Sequence, residues 1–151
     1  MASSHRVHFF HLIWSTKRRQ NLILPKIQNQ LFSYIRGIIS NSGATLIEIG
    51  GIPNHVHLLV EVSNLDRFTS MIRNIKASSS GWLKGKFPEC SNFAWQDGYG
   101  SYSVSYSQIE KTKRYIQNQE IHHEKQTFEE EYKTFLNRCD VKYEERYLFD
   151  E

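Results

Sequence analysis

The sequence GGIPNHVHLLVEV, residues 50–62, predicts a tight turn that leads directly into a β-strand. Glycine, proline and asparagine are typical of turns, and the valine and leucine residues that follow favour a strand. Because side chains alternate between the two faces of a strand, His55, His57, Leu59 and Glu61 share one face. The opposite face, which we expect to pack in the core, carries Val56, Leu58, Val60 and Val62.

The two histidines begin their face of the strand about 7 Å apart, given a rise of about 3.3 Å per residue. Imidazole is the commonest metal ligand among side chains, so His55 and His57 could bind one ion. Most metal sites need a third protein ligand, which this stretch does not supply. The alternative is that both histidines are structural residues with satisfied hydrogen bonds. The pattern leaves both interpretations open.

Strands and helices alternate on either side of this hairpin. In chain order the predicted elements are a strand at 7–14, a helix from Pro25 to about 41, a strand at 45–49, the histidine strand, a helix at 65–84, extended pieces at 93–96 and 102–105, and helices at 108–123 and 128–136. The order β-α-β-β-α-β predicts a ferredoxin-like α+β fold, an antiparallel sheet with helices on one face, followed by C-terminal helices that carry Tyr115. Such a fold alone indicates little about chemistry.

Composition and charge fit one globular domain over residues 1–151, with 39% hydrophobic residues and a formal net charge of +3. A mildly basic chain is compatible with a nucleic-acid partner. Cys90 and Cys139 are far apart, so neither a zinc ribbon nor a disulfide framework is indicated, and a reducing cytoplasm is expected. No signal peptide and no run of about 18 apolar residues is visible, so we expect no membrane association.

Two groups of cations are candidate DNA contacts. Lys17, Arg18 and Arg19 follow the first strand, where they could meet a phosphate backbone. Arg73 and Lys76 lie on the polar side of the helix at 65–84. The alternative in both places is an ordinary solvated surface.

The helix at 108–123 has few aliphatic residues but an organised polar face. Lys111, Tyr115, Gln119 and His122 lie at helical spacing on that face. A tyrosine phenolate can attack phosphorus and form a covalent ester. An amide oxygen suits Mg²⁺ or Mn²⁺, so Gln119 with His55 and His57 would make a three-ligand site. The alternative is a solvent-facing helix on which Tyr115 is incidental.

At this point the chain resembles the single-tyrosine HUH transposases of bacterial insertion sequences, including the repeat-associated tyrosine transposases, where HUH means His, hydrophobe, His. The resemblance spans about residues 7 to 149. It is carried by HLIWSTKRR at 11–19, GGIPNHVHLLV at 50–60, FAWQDGYG at 93–100, YIQNQ at 115–119 and YEERYL at 143–148.

The resemblance implies that Tyr115 is the nucleophile and that His55, His57 and Gln119 hold a divalent ion, Mg²⁺ or Mn²⁺. Attack on single-stranded DNA with hairpin ends would leave a 5′-phosphotyrosine and a free 3′-hydroxyl. The resemblance also implies a homodimer, in which the tyrosine helix can lie against the histidine strand of the partner.

Three other functions stay open. A replication-initiator or relaxase-like nickase shares these motifs but usually carries extra domains. A hydrolytic metal phosphodiesterase would use water, with Tyr115 incidental. A non-catalytic single-stranded nucleic-acid-binding module would use an RRM-like sheet, with Phe9 or Trp14 stacking on bases. Glu48, Glu61 and His122 are further candidates for groups that support the metal ligands.

Overall fold

The histidine strand is a central strand of a four-stranded antiparallel sheet. A computed structural model describes residues 3–149. The strands are β1 His8–Ser15, β2 Thr45–Ile52, β3 His55–Val62 and β4 Gly100–Ser103. Their order in the sheet is β2-β3-β1-β4, and every neighbouring pair is antiparallel. This is the predicted ferredoxin-like arrangement, so the α+β fold class is confirmed.

Within the described part of the chain, six α-helices surround the sheet. They are α1 Pro25–Asn41, α2 Phe68–Lys86, α3 Ile109–Gln117, α4 Gln119–His122, α5 Phe128–Arg138 and α6 Glu145–Leu148. Short 3₁₀ turns at Lys17–Arg19, Leu65–Arg67, Pro88–Cys90 and Tyr106–Gln108 connect several of these elements. Among residues 3–149, no helix combines the length and apolar character that a membrane crossing requires.

The sheet is covered on both faces. The α1–α2 face holds the larger core, in which the predicted aliphatic face of β3 is buried with residues of α1 and α2 such as Ile35, Ile39 and Ile75. The other face is covered by α5, where Phe128, Tyr132 and Leu136 pack with residues of β1 and β4. Strands buried on both sides tend to be continuously apolar, which explains the run of Leu and Val in β3.

Several predicted boundaries differ from the structure, and three of the differences affect the arrangement of the elements. Strand β2 continues to Ile52 instead of ending at 49, so only Pro53 and Asn54 remain between β2 and β3. The extended piece at 93–96 contributes a single bridge, between Thr16 and Trp95, because the chain crosses the end of the sheet there.

The third difference is a break in the predicted helix at 108–123. Helix α3 ends at Gln117, and α4 begins at Gln119. Between them Asn118 has φ −102° and ψ 27°, outside the helical range. Asparagine is a poor helix former because its side chain competes for backbone hydrogen bonds. As a result, Tyr115 and Gln119 belong to two separate helical segments.

Candidate metal and nucleophile site

Two histidines of β3 form the floor of a buried polar cluster on the α5 face of the sheet. Both His55 and His57 are fully buried. On the neighbouring strand, His11 of β1 places its Nε2 atom 2.7 Å from Nδ1 of His57. In the register of the sheet, Leu59 lies opposite His11 and Ile13 opposite His57, so this is a diagonal contact between adjacent strands.

The C-terminal helices add two residues that sequence reasoning missed. Glu131 of α5 is 1% exposed, and its Oε1 atom lies 2.9 Å from Nε2 of His57 and 3.6 Å from Nε2 of His55. The same oxygen lies 3.3 Å from Nε2 of His123, which follows α4. One candidate ligand atom from each of these four residues lies within 4.8 Å of all the others. Imidazole nitrogens and a carboxylate at this spacing fit a divalent metal site.

Gln119, the third predicted ligand, also reaches the cluster. Its Oε1 atom lies 3.1 Å from Nε2 of His55 and 3.1 Å from Nε2 of His123. Its Nε2 atom donates to the backbone oxygen of Tyr115 at 3.2 Å, which turns the amide oxygen toward the histidines. The structure therefore brings His55, His57 and Gln119 together, as the sequence predicted.

Outer contacts fix the orientation of two imidazoles. Nδ1 of His55 donates to Oδ1 of Asn54 at 2.8 Å, and Nδ1 of His123 donates to the backbone oxygen of Gln126 at 2.9 Å. An imidazole held through one nitrogen presents the other to a metal. In both residues the presented atom is Nε2.

The predicted nucleophile lies beside this cluster in the same chain. The Tyr115 hydroxyl donates to Oε2 of Glu131. The Tyr115 ring stacks on His122, with centroids 4.4 Å apart, and meets the ring of His57 edge-on at 5.8 Å. The hydroxyl and the metal-ligand candidates are thus joined through one carboxylate.

Helix α3 is seated by close packing against β2. Ile116 is buried there, and a Cβ atom at Gly50 would overlap its backbone oxygen. Glycine is the residue that permits so close an approach between backbones. A hydrogen bond of 2.8 Å from Nε2 of Gln117 to Oε2 of Glu48 lies beside this contact. Together these contacts position Tyr115 over the histidines.

Burial controls the charges of the site. It lowers the pKa of His55 to about 3, assisted by the neighbouring His57, and it lowers the pKa of His11 to about 3 in the same way. Burial also raises the pKa of the Tyr115 hydroxyl, and the charge of Glu131 and its hydrogen bond raise it further. At neutral pH, His11 and His55 are therefore uncharged and Tyr115 is a phenol.

Glu131 responds differently because it has several hydrogen-bond partners. Burial acts to raise the pKa of its carboxyl, but its close contacts with His123 and His57 outweigh burial and leave that pKa below its ordinary value. The cluster thus contains one carboxylate at neutral pH.

The predicted DNA contacts fall into two separate places. Arg18 is exposed, and it borders a groove that also includes His123 and Thr127. Its neighbour Arg19 lies 3.6 Å from Glu129 and over the ring of Phe149. Lys17 is exposed in the same 3₁₀ turn.

The second pair of cations lies across the sheet from the histidines. Arg73 and Lys76 of α2 line a groove with Trp95 and Tyr99. Nζ of Lys76 donates to the backbone oxygens of Asp97 and Gly98, at 3.1 and 3.0 Å, so it stabilises the loop before β4.

The other candidates take different roles. His122 stacks on Tyr115, and Glu48 accepts from Gln117, so both act on α3 rather than on the metal ligands. Glu61 lies opposite Phe9 and Thr45, near the end of β3 that is remote from the two histidines. Among the missed residues only His123 carried a signal, since it lies four residues after Gln119.

Comparisons with known proteins agree with this geometry. A sequence model of the family described as "Transposase IS200 like" matches residues 4–119. The chain is 24% identical over 115 residues to the ISDra2 transposase TnpA of Deinococcus radiodurans, a match that covers 73% of this chain and 82% of that protein.

Two solved structures share the fold. A crystal structure of a chain from Deinococcus radiodurans R1, described as a transposase, is 24% identical with a TM-score of 0.61, covering 79% of this chain and 98% of that one. A REP-associated tyrosine transposase bound to a REP hairpin is 17% identical with a TM-score of 0.61, covering 82% of this chain and 74% of that one. Because the family match extends over most of the sequence, the chain belongs to the IS200-like, single-tyrosine family of transposases.

Proposed function

We propose that this transposase cleaves and rejoins single-stranded DNA through a 5′-phosphotyrosine on Tyr115. The observation that carries the proposal is the placement of the Tyr115 hydroxyl on Oε2 of Glu131, whose other oxygen contacts His57. A nucleophile must lie within a few ångströms of the groups that stabilise the reacting phosphate, since small misplacements are costly.

In this reaction the phenolic oxygen forms a bond to phosphorus, and the bond from phosphorus to the 3′ oxygen breaks. The phenol loses its proton, and the departing 3′ oxygen gains one. The ester keeps the energy of the broken bond, so a later 3′-hydroxyl can rejoin DNA in the reverse reaction. His55, His57 and Gln119 would hold a divalent ion, Mg²⁺ or Mn²⁺, which supplies Lewis-acid stabilisation of the phosphate.

The chain's own residues prepare this step. Gly50 and Gln117 hold α3 so that Tyr115 faces the cluster. Burial of His55, His57 and Glu131 excludes water, which strengthens the electrostatic interactions among these groups. Because these groups are covered, DNA reaches them only when α3 or α5 moves away from the sheet.

We further propose that the substrate carries hairpins near its cleavage sites. The similar fold of a transposase bound to a REP hairpin supports this proposal. Lys17, Arg18 and Arg19 beside His123 would contact the phosphates that enter the site, and Arg73 and Lys76 would contact DNA on the opposite side. The protein would act as a single domain of residues 1–151, as a homodimer, in the cytoplasm.

Tyr115→Phe tests the nucleophile. The purified protein is incubated with 5′-labelled and 3′-labelled single strands that carry element ends, and covalent products are separated under denaturing conditions. The wild type is expected to form a protease-sensitive adduct, and Tyr115→Phe to form none while its DNA binding is unchanged. An equal adduct in Tyr115→Phe would overturn the proposal. Full cleavage by Tyr115→Phe without any adduct would instead indicate hydrolysis by water.

A further inference from the structure

We infer that His123 and Glu131 are metal ligands together with His55, His57 and Gln119, and that these five donors select a transition ion such as Mn²⁺ over Mg²⁺. The inference rests on the metal dependence in the proposed function and specifies which residues create it. His123 and Glu131 lie beyond residues 4–119, the part of the chain that matches the family model. The two additional donors are therefore supplied by the C-terminal helices of this chain.

The imidazole lone pairs of His55 and His123 point toward the centre of the cluster. The partners of the Nδ1 atoms, Oδ1 of Asn54 and the backbone oxygen of Gln126, can only accept hydrogen bonds. Nδ1 therefore carries the proton in His55 and in His123. In a neutral imidazole the remaining nitrogen, Nε2, then presents a lone pair to the centre of the cluster.

Oxygen acceptors converge on the same centre. Gln119 donates through its Nε2 atom to the Tyr115 backbone, so its Oε1 atom faces inward with a lone pair. Glu131 contributes a carboxylate oxygen, Oε1, which lies 3.6 Å from Nε2 of His55. Acceptors that face one another repel unless a positive charge lies between them. Protons on imidazole nitrogens can supply that charge, and a metal ion supplies it for all five groups together.

The distances between the donor atoms fit a single ion. Ligand atoms about 2.1 Å from an ion are about 3.0 Å apart at adjacent octahedral positions and about 3.4 Å apart at tetrahedral ones. The separations of Oε1 of Glu131 from the three Nε2 atoms are 2.9, 3.3 and 3.6 Å. Oε1 of Gln119 lies 3.1 Å from two of those nitrogens. Five such donors would leave one octahedral position for a phosphate oxygen.

The types of donor determine which ion the site prefers. Mg²⁺ prefers oxygen ligands and usually keeps several waters. Three imidazoles and a buried site that admits little water offer neither condition. Imidazole suits first-row transition ions, and a carboxylate with an amide oxygen also suits Mn²⁺. The donor set therefore favours Mn²⁺ or Co²⁺.

Isothermal titration of the full chain with MnCl₂ and MgCl₂, without DNA, tests both parts of the inference. We expect one Mn²⁺ per chain, bound at least about 10-fold more tightly than Mg²⁺. Glu131→Gln and His123→Ala should each weaken Mn²⁺ binding by about 10-fold to 100-fold, at least as much as the loss of an outer partner costs. Glu130→Gln, on the exposed side of the same helix, is the matched control and should bind like the wild type.

Co²⁺ absorption provides a second measurement, because its visible bands depend on the number and type of ligands. Loss of Glu131 or His123 should change the Co²⁺ spectrum, while Glu130→Gln should not. Thermal unfolding checks each variant. If His123→Ala does not fold, His123→Asn replaces it, because its amide can still donate to the Gln126 carbonyl.

Unchanged Mn²⁺ affinity and an unchanged Co²⁺ spectrum in either variant would overturn the five-donor site. Mg²⁺ binding as tight as Mn²⁺ binding would overturn the ion preference. These outcomes are separate from the proposed function because no DNA is present. A chain that binds Mn²⁺ as expected but forms no DNA adduct would contradict the transposition chemistry alone.

Discussion

The carboxylate of Glu131 joins the Tyr115 hydroxyl to His57, accepting from the phenol through Oε2 and lying 2.9 Å from Nε2 of His57 through Oε1. Helix α5 thereby contacts the predicted nucleophile, Tyr115, and the metal-ligand candidates through a single side chain. Any movement that admits DNA must separate Glu131 from at least one of these two partners.

The histidines of β3 are expected to be essential for cleavage. His55→Ala or His57→Ala should reduce adduct formation by at least about 100-fold, and EDTA should do the same to the wild type. Gln119→Ala should cost about 10-fold, because a neutral amide is the weakest ligand and water can replace it. Single-turnover assays with labelled single strands measure all three effects. Cleavage at the full rate in EDTA would contradict a metal-dependent step.

Gly50 is expected to matter for activity although it bears no side chain. Gly50→Ala places a methyl group against the backbone oxygen of Ile116, so α3 must shift and carry Tyr115 with it. We expect a loss of about 1–3 kcal/mol in the free energy of unfolding, together with slower adduct formation.

Gly37→Ala is the matched control for Gly50→Ala. Gly37 lies in α1 with no atom near the position of an added Cβ, so alanine should be neutral or stabilise by up to about 1 kcal/mol. Chemical denaturation measures the free energy of unfolding of both variants, and adduct assays measure their rate of adduct formation. Wild-type activity in Gly50→Ala would show that this contact does not position Tyr115.

The stability of the metal-free protein should fall in mild acid. His11 and His55 have a pKa of about 3 in the folded chain and about 6.5 when unfolded. Below pH 6.5 the unfolded chain therefore binds more protons, and each histidine costs up to about 1.4 kcal/mol per pH unit until about pH 3. The charged or titratable groups that face His55 are His57, His123 and Glu131. The charge of Glu131 raises the pKa of His55 and so opposes this loss of stability.

Urea denaturation between about pH 7.5 and pH 4.5, in EDTA, measures this slope. His11→Gln removes one of the two titrating groups and should make the dependence on pH shallower. A free energy of unfolding that stays constant over this range would contradict the assignment of neutral, buried imidazoles.

Complementation between variants tests how the active site is assembled. The structure places Tyr115 beside the histidines of its own chain. In a homodimer that exchanges its tyrosine helices, each site combines the histidines of one chain with Tyr115 of the other. A mixed dimer of His57→Ala and Tyr115→Phe chains then has one site with all its groups, so about half of its sites should regain cleavage activity. If the subunits exchange but the mixture stays inactive, each site is built within one chain. Light scattering establishes the oligomeric state independently.

The sequence predicted the antiparallel sheet because β1, β2 and β3 each show alternation or an apolar run, whereas the fourth strand was predicted only as an extended piece at 102–105 and lies at Gly100–Ser103. It also predicted that His55 and His57 share a face and that Gln119 meets them. The shared face of the two histidines was predicted from local spacing alone. The contact of Gln119 with them was predicted from the family resemblance and from the donor chemistry of an amide oxygen. Membership of the single-tyrosine family, predicted from the motifs, is confirmed by the family match.

Residues that reach the site through tertiary packing could not be predicted in this way. Glu131 is one of three consecutive glutamates, and only the docking of α5 distinguishes it from its neighbours. His11 required the pairing of β1 with β3 before its contact with His57 could be recognised. His123 was passed over because the predicted polar face was followed from Lys111, Tyr115 and Gln119 to His122, although His123 lies four residues after Gln119.

The break at Asn118 separates the residue that would carry DNA from the residues that would retain the ion. Strand transfer requires a captured 5′ end to travel from one DNA partner to another while the catalytic centre survives for the return reaction. With an unbroken helix, any swing of Tyr115 would drag Gln119 and His123 along. Because α3 and α4 are joined at a non-helical residue, α3 can rotate about Asn118. Tyr115 and its attached DNA then move, while the metal-ligand candidates stay assembled for rejoining.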